Sequence, residues 1–307
     1  MSGPKRELVP VRTLGGVAPM EFQFGFISGY MAFTDGVSTA NRRLLLVTDN
    51  GQAAVHVVDV VHGTHVGYVA APGTILHCRG VATRKSLAAV SCERRTAEVR
   101  VFENSDECKW TVVRVIAAAG LVTTPFGLRF TADGTRLVVA DSVNQRLSMF
   151  CAKDGAFLRH IALVAEGYFV YPRDVEECVI EGGRAGWVTC HLRGLVAIAD
   201  NEADADTVAR RGFGLPNDNF ALATVPSLGL LVTRHLTGVQ FFATPDAVSM
   251  ASMSFCKVAW MAAACRGLFF LRAAILKGFD CATHTTRNGY FEARAPARPH
   301  FPGLLQA

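Results

Sequence analysis

The chain reads as an all-β protein built from a repeated four-stranded unit, and three observations carry that reading. A β-forming run recurs at nearly constant spacing, each copy has the same kind of strand and turn before it, and each is followed by further strand-like runs. The recurring runs are LLLVTD (44–49), LAAVSC (87–92), LVVAD (137–141), GWVTC (186–190) and LLVTR (230–234). Their aligned valines, Val47, Val90, Val139, Val188 and Val232, are separated by 43, 49, 49 and 44 residues. Four short strands at that period are one blade of a β-propeller.

The elements follow in order. A first strand and its turn precede each run, as in GYMAFTDG (29–36), PFGLRFTADG (125–134) and PRDVEECVIEGG (172–183). Asp-Gly and Gly-Gly are the expected turn punctuation there. The run itself is the second strand. A third strand often closes on an aromatic: AAVHVVDV (53–60), AEVRVF (97–102), RLSMF (146–150) and GVQFF (238–242). A fourth runs towards a glycine: HVGYVAAPG (65–73), TVVRVIAAAG (111–120) and FLRHIALVAEG (157–167). The last unit lacks a strand directly after Phe242, whereas VPVRTLGG (9–16) looks like an orphan fourth strand. The expectation is therefore a propeller over residues 1–243, closed by the N-terminal strand so that no edges stay open. It has five blades, and six only if the C-terminal region supplies one.

From Thr244 the pattern changes. Thr244, Pro245 and Asp246 form a helix-start signal, and the following Ala-, Met- and Leu-rich stretch predicts a helical appendage over 244–278. Lys257, Arg266 and Arg272 interrupt each window that could span a bilayer, so packing against the propeller is expected over membrane association. Residues 279–307 read as an irregular tail.

Composition supports a globular chain. Half of the 307 residues are apolar, 19% are charged, and the net charge of +5 permits an acidic partner without requiring one. No apolar stretch follows Lys5 and Arg6 before Gly15, so no secretory leader is read and an intracellular, cytoplasmic protein is expected. Nine cysteines, an odd number with no C-x-x-C, argue for reduced, buried thiols and against a disulfide framework or zinc module.

The stretch VVADSVNQRLSMF (138–150) sets Asp141, Asn144 and Arg146 around a tight turn. Asp141 can accept from turn amides, Asn144 tolerates positive φ, and Arg146 can donate to Asp141 or to a neighbouring blade. With the preceding PFGLRFTADGTR, this stretch resembles the NHL repeat. LLLVTDNGQAAVHVVDV (44–60) is similar more loosely, keeping Asp49 but placing Ala54 where the arginine falls; the other copies carry Cys92, Cys190 and Arg234 in place of the aspartate. The resemblance implies a propeller used for recognition of protein or RNA, or, in similar propellers, a metal-dependent lyase or lactonase.

Candidate sites follow from repetition at equivalent places. Asp49, Arg94, Arg95, Asp141, Asn144, Arg146, His191 and His235 fall on one face, the favoured binding surface. His56, His62 and His65 are close in sequence but read as a solvated hairpin, since ligands must converge in space. Arg42, Arg43, Arg84, Lys85, Arg136 and Arg184 fall on the other face, diluted by Asp35, Asp133 and Glu181. No catalytic constellation, metal site or cofactor fingerprint is read. The expected function is a non-enzymatic scaffold for protein partners. Its alternatives are an RNA-binding propeller or a recognition module serving a separate ubiquitin ligase, and then a metal-dependent propeller enzyme.

Overall fold

The computed structural model describes residues 27–34, 43–93, 97–106, 109–116, 120–165, 168–180, 184–191, 194–199, 211–214, 219–225, 230–235, 238–243 and 256–259. These form five four-stranded antiparallel sheets, each a meander of consecutive strands. Sheet 1 comprises β1 (Ile27–Phe33), β2 (Leu44–Asp49), β3 (Ala54–Asp59) and β4 (Thr64–Ala70). Sheet 2 comprises β5 (Cys78–Arg84), β6 (Leu87–Cys92), β7 (Glu98–Asp106) and β8 (Lys109–Ile116). Sheet 3 comprises β9 (Pro125–Phe130), β10 (Arg136–Asp141), β11 (Arg146–Cys151) and β12 (Phe157–Ala162). A two-stranded ribbon, β13 (Val164–Ala165) with β14 (Tyr168–Phe169), leads to sheet 4: β15 (Asp174–Ile180), β16 (Arg184–His191), β17 (Gly194–Ala199) and β18 (Arg211–Gly214). Sheet 5 comprises β19 (Asn219–Val225), β20 (Leu230–His235), β21 (Gly238–Ala243) and β22 (Cys256–Ala259).

The apolar runs are continuous because the inner strands are covered on both faces. Every residue of β2 and β3 is buried, whereas the outer strands β8 and β12 are largely open to solvent and β4 is mostly half-buried. Apolar clusters fill the spaces between sheets. Leu46 and Val57 of sheet 1 pack with Val90 and Phe102 of sheet 2, and Val101 packs with Leu128 and Phe150 of sheet 3. Val138 and Leu147 pack with Val175 and Trp187 of sheet 4, while Met31 and Val47 pack with Ala221 of sheet 5. Truncating a fully buried aromatic such as Phe150 or Trp187 to alanine costs about 3–5 kcal/mol.

The first strands lie side by side in a cycle: β1 against β5, β5 against β9, β9 against β15, β15 against β19, and β19 back against β1. Side-chain hydroxyls stitch this ring. Thr48 Oγ1 lies 2.9 Å from Tyr30 O in its own sheet and 3.0 Å from Arg79 O in the next. Ser91 accepts from Gly80 N at 2.7 Å and donates to Phe126 O at 2.5 Å, again joining one sheet to the next. The approach is close enough to require glycine at two equivalent places. A Cβ on Gly80 would collide with Phe126 O, and one on Gly127 would collide with the Asp174 carboxylate and meet its Cα at 2.7 Å.

The outer strands carry register shifts in their pairing with the third strands, between Val55/His56 and Val57/Val58, Val101/Phe102, and Met149/Phe150. Such bulges blunt open edges against further pairing.

Two expectations change at the last sheet. The outer edge of β21 pairs with β22, Val239 facing Val258, so the place assigned to residues 9–16 is taken by a strand from the segment expected to be helical. The local reason is that CKVA carries a β-branched valine and no helix or strand breaker, and the strand satisfies an edge that would otherwise be open. Residues 9–16, the rest of 244–278, and 279–307 lie outside the described residues. Among the described residues, no helix is long and apolar enough to cross a membrane.

Candidate binding face

Each meander puts the turn between its second and third strands at the same end as the linker that enters its first strand. Asp141 locks these two segments together. Its carboxylate is fully buried; Oδ1 accepts from Thr123 N at 3.0 Å and Thr124 N at 3.1 Å in the incoming linker. Oδ2 accepts from Asn144 Nδ2 at 2.8 Å and Arg146 Nε at 3.0 Å, and Arg146 Nη2 reaches back to Leu121 O at 2.9 Å. The acid and the arginine thus join the turn to the linker, a wider span than a turn-local cap. The residue in positive φ is Gln145, at 54°, instead of Asn144. Asn144 uses its amide to bond both Asp141 and, at 2.7 Å, Thr123 Oγ1.

Sheet 1 repeats the device with different chemistry. Asp49 pairs across the turn with Ala54, as Asp141 does with Arg146, and Ala53 has the positive φ, 52°. The missing arginine is replaced two residues on, on the same face of the strand. His56 Nε2 lies 3.3 Å from Asp49 Oδ2, and His56 Nδ1 lies 3.2 Å from His65 Nε2. His56 is 1% exposed, so the solvated hairpin expected for it is incorrect: the imidazole is buried between a carboxylate and a second imidazole. Tyr68 packs against both rings, its centroid 5.0 Å from His56 and 4.7 Å from His65. Burial, and then the neighbouring His56, lower the His65 pKa. Only His62 fits the expectation: its side chain is 59% exposed and its Nδ1 lies 2.6 Å from Asp59 Oδ2. Sheet 2 moves the pair into the third strand, where Arg100 Nε donates to Glu98 Oε1 at 2.6 Å beside the buried Cys92.

His191 and His235 end β16 and β20 at equivalent register, facing Gly194 and Gly238 across their turns. Arg94 and Arg95 lie outside the described residues. At the opposite end, charges are engaged locally. Arg43 stacks 4.9 Å from the centre of the Phe33 ring. The Asp133 carboxylate accepts from the hydroxyl of Thr131 and the backbone of Thr135, hydrogen bonds that bring its pKa down to about 2. Burial pushes the thiols of Cys78 and Cys92 in the core, and of the half-buried Cys178, up to about 12, the chemistry of inert thiols.

A cluster that the sequence reading did not single out lies where the first strands begin. Tyr30 crosses from sheet 1 to donate to Arg173 O, entering sheet 4, at 2.6 Å. Phe126 of sheet 3 carries two guanidinium groups, Arg79 at 5.0 Å and Arg173 at 4.5 Å from its centroid. Arg79 is bound to Glu93 at 2.6 Å. Asp174 is held by Val175 N at 3.0 Å and by Leu222 N of sheet 5 at 2.8 Å. Burial, and then the charges of Asp174 and Cys190, raise the Tyr30 pKa well above its ordinary value. The available signal was positional: Tyr30 stands where Gly80 and Gly127 stand in sheets 2 and 3. Among the described residues no group of three or more His, Cys, Asp or Glu is arranged to hold a metal.

The loops around this cluster expose large apolar side chains. Leu76 (49% exposed), Leu121 (37%) and Tyr171 (40%) are in linkers, and Val143 (54%) is in the Asp141 turn. The Asp141–Arg146 clasp fixes the backbone that displays two of them.

No known protein family and no curated protein matches the chain. Among solved structures, Kuenenia stuttgartiensis Hydrazine Synthase matches over 80% of this chain and 70% of that one, with a TM-score of 0.53 and 14% identity. At that identity the likeness concerns the fold. With the repeated four-stranded antiparallel sheets, it identifies this chain as having an all-β, propeller-like fold.

Proposed function

We propose that the chain is a five-bladed, NHL-like propeller acting as a non-enzymatic scaffold that binds a protein partner through the face of linkers and second-to-third-strand turns. The observation that carries this reading is the grouping of exposed Leu76, Leu121, Val143 and Tyr171 at the same end as Arg79 and Arg173. Apolar and aromatic side chains with arginine are the composition of protein interfaces.

The test is affinity capture from the native cell, followed by purification of the captured protein and measurement of its Kd. Val143→Asp with Tyr171→Ala should weaken binding at least about tenfold, the scale of losing one interface anchor, while the melting temperature holds. Binding unaffected by those changes would refute the assignment of the face. Capture of RNA, with an affinity falling steeply with salt, would refute the protein-scaffold reading.

A further inference from the structure

We propose that the mouth formed by Arg173, Arg79 and Phe126 is a carboxylate-binding subsite of this face, taking one acidic side chain of the partner flanked by apolar residues. The inference rests on the protein-binding reading above and names the chemistry of the partner.

Arg173 carries it. Its guanidinium lies over the Phe126 ring, its buried Nε has no hydrogen-bond partner, and it forms no ion pair among the described residues. The side chain is half-buried, so its remaining donors are partly desolvated yet reachable. A planar fork held against an aromatic ring is suited to bidentate capture of a carboxylate. Phe126 is itself fixed, because its carbonyl accepts from Ser91 and its neighbour Gly127 donates to Arg173 O at 2.9 Å. The backbone of Arg173 is pinned from both sides: its N–H donates to Cys190 O at 2.8 Å and its carbonyl accepts from Tyr30. The cation is therefore placed on a rigid frame.

The local charge balance selects a single carboxylate over a phosphodiester chain. Glu93 pairs with Arg79, and Asp174 lies beside Tyr30, so two of the four charges at the mouth are negative. A strand of phosphates needs a continuous excess of cations. One carboxylate needs one free fork, with apolar surroundings that strengthen the pairing. Leu76 and Tyr171, a few residues from Arg79 and Arg173 in the chain, are exposed at the same end and suit apolar neighbours of the acid.

The experiment uses the full chain and two probes, the tripeptides N-acetyl-Leu-Glu-Leu-amide and N-acetyl-Leu-Gln-Leu-amide, followed through the arginine Nε–Hε resonances. The glutamate probe should shift the Arg173 signal saturably and bind at least about tenfold more tightly than the glutamine probe, as expected for a charge-assisted pair. Arg173→Ala should abolish that difference, and Arg173→Lys, which keeps the charge without the fork, should retain only part of it. Equal binding of both probes, no saturable shift at millimolar peptide, or a glutamate preference that survives Arg173→Ala would each overturn the subsite. Oligouridylate displacing the glutamate probe at low micromolar concentration would also overturn it, by making the mouth a phosphate site. Failure here leaves the face assignment standing if the captured partner still depends on Val143 and Tyr171; loss of that dependence removes the broader reading.

Discussion

Replacing Asp141 with alanine should destabilise the chain more than a single surface ion pair would. The carboxylate is fully buried and accepts four hydrogen bonds, two from linker amides, one from Asn144 and one from Arg146. A hydrogen bond to a charged group is worth roughly 1.5–3 kcal/mol, but the four are not additive. Arg146 is 23% exposed and can recover water, which removes the largest penalty of orphaning a buried cation. A net loss of about 3 kcal/mol follows, or about 5 °C in melting temperature for a chain of 307 residues. Thermal and urea unfolding by circular dichroism would measure it. Arg146→Ala should cost less, about 1–2 kcal/mol, since the carboxylate keeps its amide donors. A double-mutant cycle should show strong coupling between the two positions. An Asp141→Ala protein with wild-type stability and no partner binding would refute the structural account and make the residue part of the recognition surface.

Three further predictions follow from the same geometry. His56→Ser should cost about 2 kcal/mol by removing an imidazole partner of buried Asp49, and adding Ala54→Arg should restore most of it by recreating the sheet 3 pairing; failure of the second change to rescue stability would disprove the equivalence. His65 and His160 both have pKa values lowered by burial, with His56 and Arg146 adding to it respectively. The unfolded chain therefore binds more protons below about pH 6.5, and stability should fall as pH drops from there through the folded pKa values. Melting temperatures between pH 5 and 7.5 should show that slope, and His65→Asn with His160→Asn should flatten it. Gly127→Ala should cost at least about 3 kcal/mol or prevent folding, because the added methyl meets the backbone of Asp174; a soluble variant with unchanged melting temperature would contradict the close approach of β9 and β15.

Much of the repeat could be read before the fold was seen, and the reason is burial. Strands β2 and β6 match the runs at 44–49 and 87–92 residue for residue, since strands covered on both faces must be uninterrupted apolar β-formers. The strand at 194–199 has no aromatic closure and that at 211–214 is only four residues long with two glycines, so period alone did not mark them. The Asp141 clasp was visible as a pair, but its second partner, the linker at 121–124, is distant in sequence. His56 was misread because a histidine between valines in a hairpin gives no sign of the carboxylate seven residues earlier that lies beneath it. The mouth cluster assembles residues from five sheets, each unremarkable in its own strand, and only the ring of first strands brings them together.

The hydroxyl stitching also bears on how the chain comes apart. Thr48 and Ser91 each hold the first strand of their own sheet and the first strand of the next. A sheet cannot leave the ring without exposing carbonyls in its neighbour, and exposed, unpaired carbonyls in an apolar seam are costly. Independent stepwise loss of repeats, the habit of open solenoids, is thereby disfavoured. The amides of β5 and β9 should exchange with solvent together, at one shared free energy, while the exposed outer strands exchange earlier.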